Sequence, residues 1–354
     1  MRSSTLLLPH VILALTTPSL CISLDRRNWE WKRALSLWTR ADERNVPSEG
    51  YYDPSQSGGS MLTKIPVTFP MGQGEPINAI ITGSSDSRVL VDAEVNGGLR
   101  NYFVSFGFSG ECLGQHSGSD QEANLGDGNG FSKYFSASLR RDSVSQSLGI
   151  SPENETGVIR WAYGDPELGT CKETIQGGNH FRYWVQDGPS ANSGAIFLAV
   201  SYEKPIAEQH DIIPNGYNLG RDWLVGNITQ SAIPTLNLTN STTYTGTTSS
   251  GGYTYETSIR YVPGLLANSS DGINHNITVG VDGINAADGL VAVLDVRITQ
   301  TPPTSSCCSH VACDIVIVAT IFYLLRVITV VPLAPPIMSL WTPSLLKLPR
   351  TCVL

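Results

Sequence analysis

Residues 177–224, GGNHFRYWVQDGPSANSGAIFLAVSYEKPIAEQHDIIPNGYNLGRDWL, carry the most consistent local signals in the chain. Their alternation of apolar and polar residues predicts two strands separated by a polar turn, followed by an extended piece and a helix. These segments are the strands His180–Gln186 and Ala195–Glu203, the turn Asp187–Ser193, the extended piece around His210–Ile213 and a helix that begins near Asn218. We therefore expect a β-hairpin and a following helix at the centre of the fold.

The segments on either side of the hairpin add a helix and further strands. Upstream, residues 77–82 predict a buried strand, and residues 88–106 predict a helix interrupted by glycines. Downstream, residues 253–262 and 290–299 have the alternating, β-branched character of strands. The resulting β-α-β-β-α-β order, with an extra strand, predicts an α+β fold. Its expected architecture is a two-layer sandwich of ferredoxin-like type, with helices on one face of the sheet.

The amino-terminal region has the features of an export signal. Arg2 precedes the apolar run Leu6–Leu15, and Cys21 and Ser23 place small residues at the positions that a signal peptidase reads. We therefore expect residues 1–23 to be a signal peptide. Residues 24–60 predict a peripheral amphipathic lead and linker, in which a tryptophan-bearing helical face packs on the domain or lies on a membrane interface.

The rest of the chain divides by composition. Residues 61–300 predict a single α+β domain with an exposed insertion at 132–152, and residues 301–354 form a linker and an apolar tail. The apolar run at about 311–333 contains Arg326, so it forms a transmembrane helix only at the cost of a charge within the span. The expected location is secreted or extracellular, with anchoring to a membrane through the C-terminal segment as the alternative.

Six acceptor sequences for N-glycosylation support export. They begin at Asn154, Asn227, Asn237, Asn240, Asn268 and Asn276. Because five of them lie between residues 227 and 278, they predict a glycoprotein with one glycan-bearing surface.

The cysteines fit the same compartment. Only Cys112 and Cys171 of the seven cysteines lie in the predicted domain. In an exported protein such a pair predicts a disulfide, whose loop closure would contribute about 4 kcal/mol of stability. Two unpaired buried thiols are the alternative.

Charge and motifs exclude several classes of partner and cofactor. The net charge is −8 and basic residues cluster only near 26–44, so we expect no nucleic-acid partner. The sequence contains no Walker loop, Rossmann fingerprint, His-Glu-x-x-His or Gly-x-Ser-x-Gly motif. We expect no cofactor, while a cell-wall glycan or a membrane remains open as a partner.

The first group of candidate catalytic residues lies in the central stretch and comprises His180, Arg182, His210 and Asp211. His180 and Arg182 share one face of their strand, and His210 follows in the next extended piece. Two imidazoles and a carboxylate could hold a divalent metal, but the spacing matches no zinc signature. Hydrogen-bonded or solvated histidines are the alternative, and we expect no metal site.

Two further groups have simpler explanations. Arg221 and Asp222 in the predicted helix form either a clamp for a carboxylate or phosphate, or an internal ion pair, which we favour. The loop containing His116, Asp120, Glu122 and Asp127 is glycine-rich but lacks the ligand spacing of an EF-hand, so a plain turn is favoured.

Several longer runs carry a resemblance to a known group. They are GEPINAIITG, ECLGQH, ANLGDGNG, DPELGTCKETIQGGNHFRYW, GPSANSGAIFLAVSYE and GYNLGRDWLV, and they cover most of the region from Gly74 to about Thr299. In these runs the chain resembles an uncharacterised family of secreted fungal, basidiomycete-type proteins. It is more weakly similar to the LssY carboxy-terminal-like domain. The resemblance implies export but transfers no catalytic residue. Residues 132–152 and the tail depart from it, and we hypothesise that both derive from translated intron or mis-joined exon.

Three functional hypotheses follow. The first is a secreted or cell-surface glycoprotein with a non-catalytic role. The second is a hydrolase whose site uses His180, Arg182 and His210, with or without a metal. The third is a carbohydrate-binding surface module that uses exposed aromatic residues such as Tyr183 and Trp184.

Overall fold

The computed structural model describes residues 44–66, 68–114, 121–129 and 153–303. Residues 44–302 belong to one compact unit. The predicted signal peptide, most of the amphipathic lead, the insertion at 132–152 and the apolar run at 311–333 lie outside the described residues. Among the helices that are described, none combines the length and the apolar character needed to cross a membrane.

The described chain contains ten strands and four α-helices. The strands are β1 (Ala79–Ile81), β2 (Phe108–Gly110), β3 (Glu122–Ala123), β4 (Glu153–Asn154), β5 (Gly157–Trp161), β6 (Gly178–Asp187), β7 (Asn192–Glu203), β8 (Thr243–Ser250), β9 (Tyr253–Ser269) and β10 (Ala287–Gln300). The helices are α1 (Leu99–Ser105), α2 (Gly169–Gln176), α3 (Gly216–Thr229) and α4 (Asn276–Val279).

Eight of the strands form one mixed sheet that curls into a half-barrel, in the order β2-β5-β6-β7-β1-β10-β9-β8. The pair β1–β10 is parallel and the other neighbours are antiparallel. The prediction of a two-layer ferredoxin-like sandwich was therefore wrong. The sheet is larger than that fold requires, since β2 and β8 add edge strands that were not predicted and β9 extends beyond the predicted strand at 253–262.

The predicted hairpin is confirmed at the middle of this sheet. β6 and β7 pair antiparallel, with Phe181 opposite Val200 and Tyr183 opposite Leu198. Both faces of the hairpin are buried. One face joins a core with α1 and α3, and the other packs under the segment that begins at Tyr51. This double burial explains the nearly continuous apolar run in β7, because a strand covered on both sides needs no polar face.

Two helix predictions differ from the structure. The helix expected over residues 88–106 forms only at Leu99–Ser105, because Asn96 and Gly97 adopt left-handed conformations (φ 59° and 76°) that a continuous helix cannot contain. Conversely, α2 forms in a segment for which the sequence predicted no helix. Its polar sequence GTCKETIQ has no apolar period to signal a helix.

The predicted disulfide is confirmed. Cys112 lies in a short 3₁₀ turn and Cys171 lies in α2, and their sulfur atoms are bonded across 59 residues of sequence. The bond fastens α2 to the edge of the sheet that contains β2 and β5. It therefore determines which side chains of α2 meet the sheet.

Candidate functional site

A row of polar side chains crosses one face of the sheet. Arg160 on β5 pairs with His180 on β6, and His180 pairs with Ser201 on β7. Because strand side chains alternate between faces, Glu203 lies on the same side as Ser201. We refer to Arg160, Glu173, His180, Glu203 and His210 together as the buried charge cluster.

Arg160 is the centre of this cluster. Its Nη1 donates to Glu173 Oε2 at 2.9 Å and to Glu203 Oε2 at 3.1 Å, and its Nε donates to Glu111 Oε1 at 3.3 Å. Arg160 and Glu173 are almost completely buried, and Glu203 is 11% exposed. Glu111 precedes Cys112, and Glu173 follows Cys171 by two residues, so the disulfide brings both carboxylates to one guanidinium.

His180 is completely buried next to charged groups of both signs. Its Nε2 lies 3.3 Å from Arg182 Nη1 and 3.4 Å from Glu203 Oε1. Burial lowers the pKa of His180 to about 3, since a buried imidazolium would lose its hydration. His180 is therefore neutral at physiological pH.

His210 reaches the cluster from the loop after β7. Gln209 and His210 both adopt left-handed backbone conformations (φ 64° and 54°), and a bridge between Glu203 and Ile212 then returns the chain to the end of β7. His210 Nδ1 lies 3.3 Å from Glu203 Oε2, and the side chain is 21% exposed. The Glu203 carboxylate raises the pKa of His210, because it stabilises the protonated imidazole.

The two buried glutamates have opposite protonation preferences. Burial raises the pKa of Glu173 to about 7, in spite of the ion pair with Arg160. Burial alone would also raise the pKa of Glu203, but the hydrogen bond from His210 and the charge of Arg160 outweigh it and hold the pKa well below its usual range. Glu203 therefore carries the negative charge, while Glu173 takes up a proton near neutrality.

The structure brings three of the first four predicted residues together and separates the fourth. His180 contacts Arg182, and both His180 and His210 contact Glu203. Asp211 instead pairs with His275 at 2.7 Å and with Lys204 at 3.4 Å.

Arg221 and Asp222 form a separate internal network. Arg221 donates to Asp222 at 2.8 Å and to Asp288 at 2.7 Å, and the hydroxyl of Tyr261 donates to Asp222 at 2.8 Å. Arg221 is fully buried and Asp222 is 2% exposed, so neither side chain is presented to a ligand.

The glycine-rich loop contains a turn centred on Asp127. Its carboxylate accepts hydrogen bonds from the backbone N–H groups of Asn129 and Gly188, and burial raises its pKa. Glu122 lies in β3. His116 and Asp120 lie outside the described residues.

Some of the predicted glycosylation acceptors and aromatic binding residues are exposed and others are buried. Asn154, Asn237, Asn240 and Asn268 are exposed, as an acceptor for a glycan must be, and Asn276 is half-buried. The Nδ2 atom of Asn227, on α3, is buried. Tyr183 and Trp184, which we expected to be exposed, are fully buried, because both faces of β6 are covered.

The exposed aromatic surface lies elsewhere. Trp223 is 42% exposed, and its ring makes edge contacts with Trp161 at 5.2 Å and with Tyr202 at 5.7 Å. It borders a groove of about 450 Å³ on α3, which is also lined by Asn227 and Gln230. We refer to this as the Trp223 groove.

Comparison with family models, with curated proteins and with solved structures found no match for the chain. The resemblance to secreted fungal proteins therefore stays a prediction.

The sequence prediction missed Arg160, Glu173 and Glu203, which complete the cluster. Two of them could have been found, since Arg160 interrupts an apolar strand and Glu203 ends one on the same face as Ser201. Glu173 had no such signal, because its helix was not recognised.

Proposed function

We propose that this chain is an exported, N-glycosylated extracellular protein whose role is binding and not catalysis. The observation that carries the proposal is the burial of candidate catalytic residues. His180 and Arg221 are fully buried, and their charged neighbours are engaged with one another. A general base must come within hydrogen-bond reach of its substrate, and side chains enclosed in this way do not.

Export is supported by the disulfide between Cys112 and Cys171, because such bonds persist in oxidising compartments. It is also supported by the four exposed acceptor asparagines. The location at or outside the cell wall is part of the same proposal.

A panel of esterase, phosphatase and glycosidase substrates tests the absence of catalysis. We expect no turnover above buffer. Turnover that disappears in His210→Gln, the most exposed imidazole of the cluster, would instead support the hydrolase hypothesis.

The Trp223 groove favours a carbohydrate as the bound ligand. An aromatic ring that packs against two others offers a rigid apolar surface, and the exposed amide side chain of Gln230 can hydrogen-bond sugar hydroxyls. Binding sites commonly combine such an apolar wall with a few polar groups.

Binding to insoluble cell-wall polysaccharides and to a glycan array tests this assignment. We expect Trp223→Ala to abolish retention, and the control Leu168→Ala, which removes an exposed apolar side chain from another surface, to leave retention unchanged. Silence on all glycans, or full retention by Trp223→Ala, would refute the carbohydrate assignment.

A further inference from the structure

We propose that Glu173, His180 and Glu203 bind one divalent transition-metal ion. Each of the three residues offers one ligand atom, and these atoms lie within 4.8 Å of one another. This inference does not depend on the proposed function. It differs from the sequence-based expectation that the protein has no metal site.

The two carboxylates each keep one oxygen for a metal. Arg160 engages Oε2 of Glu173 and Oε2 of Glu203. Oε1 of Glu173 is buried and makes no hydrogen bond. Such an oxygen costs free energy unless a proton or a cation compensates it. Arg160 then acts as a support that orients both ligands, as groups hydrogen-bonded to metal-binding carboxylates commonly do.

The surroundings of His180 point to the same position. The side chain of Arg182 is a donor to Nε2, whereas Glu203 Oε1 requires a donor from it. One nitrogen cannot satisfy both neighbours, because it either carries a proton or offers a lone pair. A metal between Nε2 and Oε1 satisfies Glu203, and Arg182 Nη1 then pairs with Glu75 Oε2, 3.7 Å away, in place of Nε2. Their separation of 3.4 Å is close to the roughly 3.3 Å between two ligands of a tetrahedral zinc ion.

The donor set identifies the class of metal. Imidazole together with carboxylate suits Zn²⁺, Mn²⁺, Co²⁺ or Ni²⁺, whereas Ca²⁺ and Mg²⁺ prefer oxygen ligands alone. Glu173 and His180 are completely buried, so a metal held there would be closed to a substrate. The metal would join α2 to the sheet and reinforce what the disulfide already holds.

Isothermal titration calorimetry and thermal unfolding of the purified full-length protein test the proposal, with ZnCl₂ and MnCl₂ added after chelator treatment. We expect one site per chain. We also expect the melting temperature to rise by roughly 5–10 °C when the metal exceeds its Kd a hundredfold. Glu173→Gln should weaken binding at least tenfold, because an amide is a poorer ligand than a carboxylate.

Asp222→Asn is the matched control, because it changes a buried carboxylate of the Arg221 network. Its own melting temperature should fall, but its gain on adding zinc should equal that of the wild type. The proposal is overturned if the wild type binds neither ion and its melting temperature does not respond. It is also overturned if Glu173→Gln binds as tightly as the wild type. The wild-type measurements decide the matter even if a variant fails to fold.

Discussion

Replacing Arg160 by methionine should destabilise the protein strongly. Methionine is unbranched and fills irregular apolar space, so Arg160→Met removes the charge without leaving a large void. In the wild type the guanidinium contacts Glu173 at 2.9 Å, Glu203 at 3.1 Å and Glu111 at 3.3 Å. The variant leaves these carboxylates close together without their cation.

The expected loss follows from that burial. Removing one partner of a buried ion pair typically costs about 3–5 kcal/mol, because the remaining charge stays buried and uncompensated. For a domain of this size the melting temperature should then fall by roughly 6–20 °C. An exposed ion pair contributes only about 0–1 kcal/mol. Arg297→Met is the control, since Arg297 pairs with Asp295 at 2.8 Å but is 55% exposed.

Urea unfolding of both variants in the presence of a chelator measures the difference, with circular dichroism as the readout. We expect Arg160→Met to have a much lower midpoint with an unchanged slope, and Arg297→Met to be close to the wild type. A loss of less than about 1 kcal/mol for Arg160→Met, equal to that of the control, would refute the idea that the cluster is a buried, mutually compensated set of charges.

Three further predictions concern the same chain. Removing the disulfide with the double variant Cys112→Ala/Cys171→Ala should cost about 4 kcal/mol, since the bond closes a loop across 59 residues; unfolding under non-reducing conditions checks this, and an unchanged midpoint would contradict it. Because the pKa of Glu173 is raised from 4.5 to about 7, its contribution to stability is complete below pH 4.5 and is lost as the pH rises through 7. As the pH rises from 4.5 to 8, the free energy of unfolding of metal-free Glu173→Gln should therefore increase by about 3 kcal/mol relative to that of the wild type. The same pH dependence of the unfolding free energy in both proteins would contradict a raised pKa of Glu173. Peptide mass spectrometry of the native protein should find Asn227 unglycosylated because its Nδ2 is buried, whereas a glycan at Asn227 would also fill the Trp223 groove and count against sugar binding there.

Local patterns were sufficient to predict the strands of the hairpin and the last strand. β6 and β7 differ from the predicted segments by only a few residues at their ends, and β10 begins three residues before the predicted strand 290–299 and ends one residue after it. These strands were recognisable because β-branched and aromatic residues recur along their whole length.

The arrangement of the strands could not be predicted in the same way. β1 is only three residues long, yet it lies between β7 and β10 and joins the two halves of the sheet. Its partners lie more than a hundred residues away in the sequence. Nothing local specifies such pairings, because they depend on which apolar surfaces are left to be covered.

The same limit applied to the candidate site. His180 and His210 were found by residue type, but the carboxylate that joins them was overlooked at the end of an apolar strand. Glu173 depended on a helix with no apolar face and on the position that the disulfide gives it. A single sequence shows which residues are chemically capable, whereas long-range packing decides which of them meet.

The most direct test of the central claim is an NMR titration of the imidazole of His180 in metal-free protein. The His180 side chain is buried among charged side chains and is not accessible to solvent as a base. We predict that its ring resonances stay those of a neutral imidazole from pH 8 down to pH 5, in keeping with a pKa of about 3. The His210 resonances should titrate with a midpoint above the ordinary value of 6.5, because the pKa of His210 is raised. A midpoint for His180 near the ordinary histidine value of about 6.5 would contradict the claim.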